Sequence, residues 1–211
     1  MLWRRILSNC AIHTCEVTYM QYKKIGDCAT IKFCSITPSR SKTQTAPTSW
    51  LVCANFLADN VVVCNPTINY VIPDQEWLLS QGDIVIKRIT PTFVNYIDFD
   101  PGEIYCGNNL IIVSPNIKTD AMYLAMLLNE KICELSKESS IGAVMKSISR
   151  NDLESLEIPM PDEQKRRLIG QLWYKGIELK KKRIKLTELE NIRINYLINK
   201  SIHFTGGRND G

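Results

Sequence analysis

The stretch EIPMPDEQKRRL, residues 157–168, decides how this chain is divided, because the sequence changes character within it. Just upstream, Leu156, Ile158 and Met160 alternate as strand residues do. Pro159 cannot donate to a central β-ladder and so belongs at a strand margin. Pro161 disfavours helical backbone at Met160, which stops a following helix from extending backwards. Asp162 and Glu163 then put negative charge into a first helical turn, with Lys165, Arg166 and Arg167 beyond it. The segment predicts a stiff corner between a domain and a helix, with Pro159 and Pro161 as its joint.

Beyond the corner no proline interrupts the chain up to about Lys200. Leu168, Leu172, Leu179, Leu186 and Leu189 fall near a heptad spacing, and Ile169, Trp173, Ile177 and Ile184 form an adjoining stripe. Two stripes are wider than the seam of a two-stranded coil and predict packing against more than one neighbour. A helix over this span is roughly 57 Å long at 1.5 Å per residue, more than the preceding domain needs to cover its own core.

Upstream of the corner the pattern is mostly strand. Residues 23–36, KKIGDCATIKFCSI, predict one strand bent near Gly26, and residues 39–49 a polar loop. Val61–Cys64, Ile84–Ile86 after a Gly82-Asp83 turn, and the end of 105–115 read as further strands. Asp120 is the expected N-cap of a helix carrying Tyr123, Leu124, Leu127, Leu128, Cys133 and Leu135 on one face. Residues 139–149 read as a small-residue loop or short strand, followed by a helical turn and the strand of Ile158. The fold class expected is α+β: a mixed, twisted-sheet domain followed by a long C-terminal coiled-coil-forming helix. The expected limits are an N-terminal extension at 1–20, the domain at 21–160, a spacer or dimerisation helix at 161–202, and a disordered tail at 203–211.

Composition narrows the function. At 45% hydrophobic and 23% charged residues the 211-residue chain is globular in type, and no apolar run approaches a membrane span. The apolar stretch after Arg5 is too short for an export signal, so a cytoplasmic location is expected. The eight cysteines include no C-x-x-C pair, and the two histidines, His13 and His203, lie at opposite ends, so neither a zinc site nor a disulfide framework is expected. The net charge of +4 is unevenly spread: residues 1–162 hold 14 Lys+Arg against 17 Asp+Glu, residues 163–200 hold 11 against 4. Basicity belongs to the helix, where Lys180–Arg183 reads as a solvated or subunit-facing run.

Catalytic patterns are scarce. CNPTINY at 64–70 falls short of an adenine methyltransferase Asn-Pro-Pro-Tyr motif, since Thr67 replaces the second proline and no glycine-rich cofactor loop precedes it. Asp74, Glu163 and Lys165 make a poor nuclease set, because the last two fall at a helix start. With no histidine in the domain after His13, nucleophilic triads lack material. A non-catalytic role is expected.

The order of segments is more informative than any one of them. QGDIVIKRI, YCGNNLIIVSP, DAMYLAMLLN and SSIGAVMKSISRNDLESLEIPMPDEQKRRLIGQL, over about residues 21–200, resemble the target recognition domain of type I restriction-modification specificity subunits. The resemblance implies a protein that reads one half of a split DNA site and holds a second reader at a fixed distance through its helix. Relatives usually carry two such domains and two spacer helices, so the resemblance is to half a subunit. It implies a homodimer through Leu168, Leu172, Leu179, Leu186 and Leu189, and an inverted-repeat site.

The partners implied are double-stranded DNA, a DNA methylation subunit and, as a further option, a restriction subunit. No cofactor is expected on this chain, S-adenosylmethionine being expected on the methylation subunit. The DNA-binding candidates are Arg40, Lys42 and Gln44 in the first loop, Lys87, Arg88 and Thr90 after the Gly-Asp strand, and Lys146 and Ser147 in the glycine-containing loop. The other readings are a structural adaptor that assembles a complex through the helix, and an inactive truncated specificity cassette.

Overall fold

A computed structural model describes residues 21–35, 49–57, 60–62, 75–89, 91–138 and 148–205. Its centre is a four-stranded antiparallel sheet in the order β2 (Ala29–Phe33), β9 (Leu110–Pro115), β6 (Ile84–Lys87), β7 (Val94–Tyr96). Both faces of this sheet are buried. Along β6, Ile84 and Ile86 face one core and Val85 the other; along β9, Ile111 and Val113 alternate in the same way with Leu110 and Ile112. A strand covered on both sides reads as a continuous β-branched run, which is why 84–86 and 110–113 stand out in the sequence.

One core lies under α2 (Ala121–Glu138), which contributes Tyr123, Leu124, Leu127, Leu128 and Ile132. The opposite core is closed by smaller pieces. In it β3 (Ser49–Leu51) pairs in parallel with β8 (Ile104–Cys106), and Trp50, Leu51, Phe56, Trp77 and Tyr105 pack on Val85, Leu110 and Ile112. A short hairpin of β4 (Phe56–Leu57) and β5 (Val61–Val62) completes that side among the described residues.

The Gly-Asp turn before β6 has a clear physical basis. Gly82 takes φ +95, a left-handed conformation that glycine reaches without Cβ strain. Asp83 is buried, and its carboxylate accepts from the Ser80 backbone N–H at 2.8 Å and from the Ser114 hydroxyl at 2.7 Å, fastening the turn to β9.

Three expectations need correction. Residues 23–36 are not one bent strand. β1 (Tyr22–Lys24) and β2 belong to different sheets, divided by a single helical turn, α1 (Ile25–Cys28). There Gly26 lets α1 pass α3 (Arg150–Glu154), a Cβ at that position lying 3.3 Å from the Glu154 carbonyl oxygen. Asp120 is not a helix cap. It ends a 3-10 turn before α2 and turns its buried carboxylate onto Arg166. The long helix α4 spans Glu163–Thr205, past the expected end at 202.

β1 pairs with β10 (Glu157–Pro159), so the chain entering the domain and the chain leaving it lie side by side at the corner. The expected strand at Val61–Cys64 is described only as far as Val62, and the expected loop at 139–147 lies outside the described residues. Cys28, Cys34, Cys53 and Cys106 are free thiols. Burial, and then the neighbouring Cys34, push the Cys106 thiol well above its ordinary range. No helix among the described residues is long and apolar enough to cross a membrane.

Candidate nucleic-acid interface

In an antiparallel sheet, the end of one strand lies beside the start of its neighbour. The registers Phe33↔Ile111, Lys87↔Leu110 and Ile86↔Val94 bring the end of β2, the start of β9, the end of β6 and the start of β7 to one edge of the domain. Three cationic side chains gather there. Arg150, on the first turn of α3, lies 4.9 Å from the Phe33 ring centroid, and Arg88 lies 5.5 Å from it. Lys87 stands 5.4 Å over the ring of Phe93. Aromatic faces hold these cations by the ring quadrupole while leaving guanidinium and ammonium hydrogens for other acceptors.

Backbone carbonyls fix the two arginines further. Arg88 Nε donates to Ile148 O at 2.9 Å and Arg150 to Ile31 O at 3.2 Å, with Glu154 also within 3.0 Å of Arg150. The Arg88 backbone N–H donates to Asn109 O at 3.0 Å. Asn109 itself has φ 63, a left-handed conformation that asparagine tolerates better than most residues. Asn108 and Asn109 in this turn are half-buried, and the Asn109 backbone is tied to that of Arg88.

Of the residues singled out from the sequence, Lys87 and Arg88 lie in this cluster. Arg40, Lys42, Gln44, Thr90, Lys146 and Ser147 lie outside the described residues. One flank of each of these segments nonetheless reaches this edge. The chain leaves toward Arg40 just after Phe33, toward Thr90 just after Arg88, and returns from Ser147 at Ile148, whose carbonyl Arg88 holds. Phe33, Arg150, Asn108 and Asn109 were not anticipated. Arg150 read as a helix start, and its partner carbonyl is 119 residues away in sequence.

At the corner, Tyr123 donates its hydroxyl to Pro159 O at 2.8 Å, and Arg166 donates to Pro161 O at 2.6 Å and to Asp120 at 2.9 Å. Both prolines thus serve as carbonyl acceptors at the joint as well as helix breakers. Farther along α4, Leu168, Leu172, Leu179, Leu186 and Leu189 are each 53–64% exposed. Among the described residues no cluster of His, Cys, Asp and Glu could hold a metal.

Comparison with known proteins gives the frame for this geometry. The family of the type I restriction modification DNA specificity domain matches residues 18–191. Among solved structures, the chain resembles the HsdS subunit from Thermoanaerobacter tengcongensis, at 19% identity and TM-score 0.57, over 81% of this chain and 40% of that one. The S subunit of a type I restriction-modification system from M. genitalium aligns at 14% identity and TM-score 0.53, over 85% and 45% of the two chains. A chain from a study of complex assembly and conformational transition of the type I R-M system aligns at 18% identity and TM-score 0.53, over 92% and 48%. The chain therefore spans less than half the length of each of these structures. A search of curated proteins finds no match.

Proposed function

This chain belongs to the family of type I restriction-modification DNA specificity domains, and from that premise we propose that it reads one half of a bipartite DNA site as part of a methylation complex. Such a domain is a recognition module and not a catalyst. The observation that carries the reading is the gathering of Lys87, Arg88 and Arg150 around Phe33 and Phe93 at the edge formed by the ends of β2 and β6 and the starts of β9 and β7. Cations there neutralise phosphates and set register, and side chains of the adjoining segments read base edges. Arg40, Lys42, Gln44, Thr90, Lys146 and Ser147 are assigned to that second role. The domain's acidic balance keeps intrinsic affinity low, so partner subunits supply further phosphate contacts.

The second element is α4. Its exposed leucine seam pairs with α4 of a second copy, which sets two readers apart about a two-fold axis and makes the recognised site an inverted repeat. The paired helices dock DNA methylation subunits, and S-adenosylmethionine binds there. A restriction subunit joins through the same assembly.

Co-expression with a type I methylation subunit, followed by genome-wide mapping of N6-methyladenine, tests the proposal. The expected result is one new palindromic bipartite motif. A non-palindromic motif with this chain as sole specificity subunit would overturn the homodimer. No new motif would overturn the active-reader assignment and leave the inactive cassette.

A further inference from the structure

The joint between domain and helix is more elaborate than a proline corner requires. Three α4 residues spaced i, i+4, i+8 lie on one stripe of the helix, and each meets a different part of the domain. Arg166 pairs with Asp120 at 2.9 Å, with only 12% and 4% of the two side chains exposed. At Gly170 a Cβ would lie 2.7 Å from the Tyr123 backbone nitrogen and 3.0 Å from Met122 Cβ, so the helix touches the first turn of α2 with no space between. Tyr174 donates its hydroxyl to Asp98, after β7, and its ring meets Tyr96 edge-on at 5.5 Å. The stripe is flanked by Ile169 and Trp173, which pack against the α2-side core.

Three contacts along two helical turns constrain tilt as well as position. The lever explains why that matters. From Gly170 to Thr205 the helix runs about 52 Å at 1.5 Å per residue. A tilt of roughly 4° at the root then moves the far end by about 3.6 Å, close to the 3.4 Å step between base pairs. We infer that Arg166, Gly170 and Tyr174 form a three-point clamp that fixes the angle of the recognition domain on α4 and, through it, the number of base pairs between half-sites. These are positioning residues; none of them need touch DNA. The inference rests on the DNA-reading proposal for its second half only.

Gly170→Ala is the direct test, since its methyl group wedges the joint without removing a charge or an apolar contact. Gly176→Ala is the control: about one and two-thirds turns further along the same helix, a Cβ there meets nothing within 4 Å. Tyr174→Phe keeps the ring packing and removes only the hydroxyl, which guards against a folding failure of the first variant.

Nitroxides carried on non-canonical residues at Glu103 and Lys185 of the full chain, diluted into unlabelled protein, report the domain-to-helix distance by pulsed electron spin resonance. Lys185 lies about 22 Å along the helix from Gly170, so the same tilt of roughly 4° in Gly170→Ala is expected to shift the mean by about 1.6 Å. Tyr174→Phe is expected to broaden the distribution, and Gly176→Ala to match the parent. The same chains, co-expressed with the methylation subunit, are mapped for the spacer of the methylated motif. Gly170→Ala should change the spacer by one base pair or mix two lengths. An unchanged mean in Gly170→Ala together with an unchanged width in Tyr174→Phe would overturn the clamp, and an unchanged spacer with a shifted distance would overturn its role in spacing. If the parent chain methylates no motif, the DNA-reading proposal fails on its own while the distances still decide the clamp.

Discussion

The root and the shaft of α4 are one continuous helix with two opposite relations to solvent. Over the first four turns the helix spends one stripe on its own domain: Arg166, Ile169, Gly170, Trp173 and Tyr174 meet Asp120, α2, the core and Asp98. Farther along, Leu179, Ile184, Leu186, Leu189 and Ile192 are 47–64% exposed. The leucine seam runs through both regions, and even at the root Leu168 and Leu172 are 56% and 64% exposed, lining a shallow groove with Met122 of α2. The domain therefore covers one stripe of the helix at its root and leaves the leucine seam largely exposed along its length. An apolar stripe of this kind on a surface helix marks an interaction face.

The sharpest way to break the contrast is at the root. Arg166→Ala leaves the Asp120 carboxylate buried without its guanidinium, and removal of one partner from a buried pair costs about 3–5 kcal/mol. Urea unfolding of the variant measures this directly. The double variant Asp120→Asn with Arg166→Gln, which leaves no uncompensated charge, should recover much of the loss. A single-variant cost below about 1 kcal/mol, the range of exposed pairs, would mean that the root is held by apolar packing alone.

The shaft should respond in the opposite way. Leu179→Glu combined with Leu186→Glu places charges on side chains already more than half exposed, so the unfolding midpoint of the domain should hardly move. Self-association should be lost, which sedimentation velocity reads as a change from dimer to monomer. If the parent chain sediments as a monomer across the micromolar range, the seam does not pair copies of this chain.

A third, smaller effect separates the cationic sheet edge from the joint. Arg150 is about half exposed beside its contacts with Phe33, the Ile31 carbonyl and Glu154, and glutamine keeps an amide donor for that carbonyl, so Arg150→Gln should leave the fold intact. If it contacts a phosphate, the slope of log affinity against log salt for duplex DNA should fall by about 0.9. An unchanged slope would remove Arg150 from the interface and confine it to holding α3 on β2.

These contrasts also explain what the sequence could and could not reveal. Ile84–Ile86, the α2 stripe and the start of α4 were legible because each is set by local periodicity or local chemistry. Asp120 was misread because a helix cap and a long-range ion pair use the same residue type, and only the fold brings Arg166 to it, 46 positions later. The turn at α1 was missed because one helical turn inside an alternating run carries no periodic signature. At the cationic sheet edge, Lys87 closes β6 and Arg88 follows it, and both are visible in the sequence as charges at the end of an apolar run. Phe33 and Arg150 are not, since their contact exists only once β2 and α3 are packed together.

The smallest effect belongs to the first residue of the corner's helical side. Asp162 accepts the Lys165 backbone N–H at 2.9 Å, as a helix cap does, and Lys165 Nζ lies 3.2 Å from its other oxygen. The Lys165 backbone hydrogen bond is the main cause that holds the Asp162 carboxyl below its ordinary range. The sign of the pH dependence follows. A carboxyl with a lower pKa in the folded state stabilises fully above its unfolded value, and that contribution disappears as pH falls through the folded value. Asp162→Ala should therefore melt below the parent at neutral pH and converge with it once the pH has dropped below the carboxylate range, with circular dichroism as the measure. Because the group is exposed, the gap at neutral pH should be smaller than for Arg166→Ala. A gap that persists unchanged in acid would mean that Asp162 acts through its backbone conformation at the corner and not through its charge.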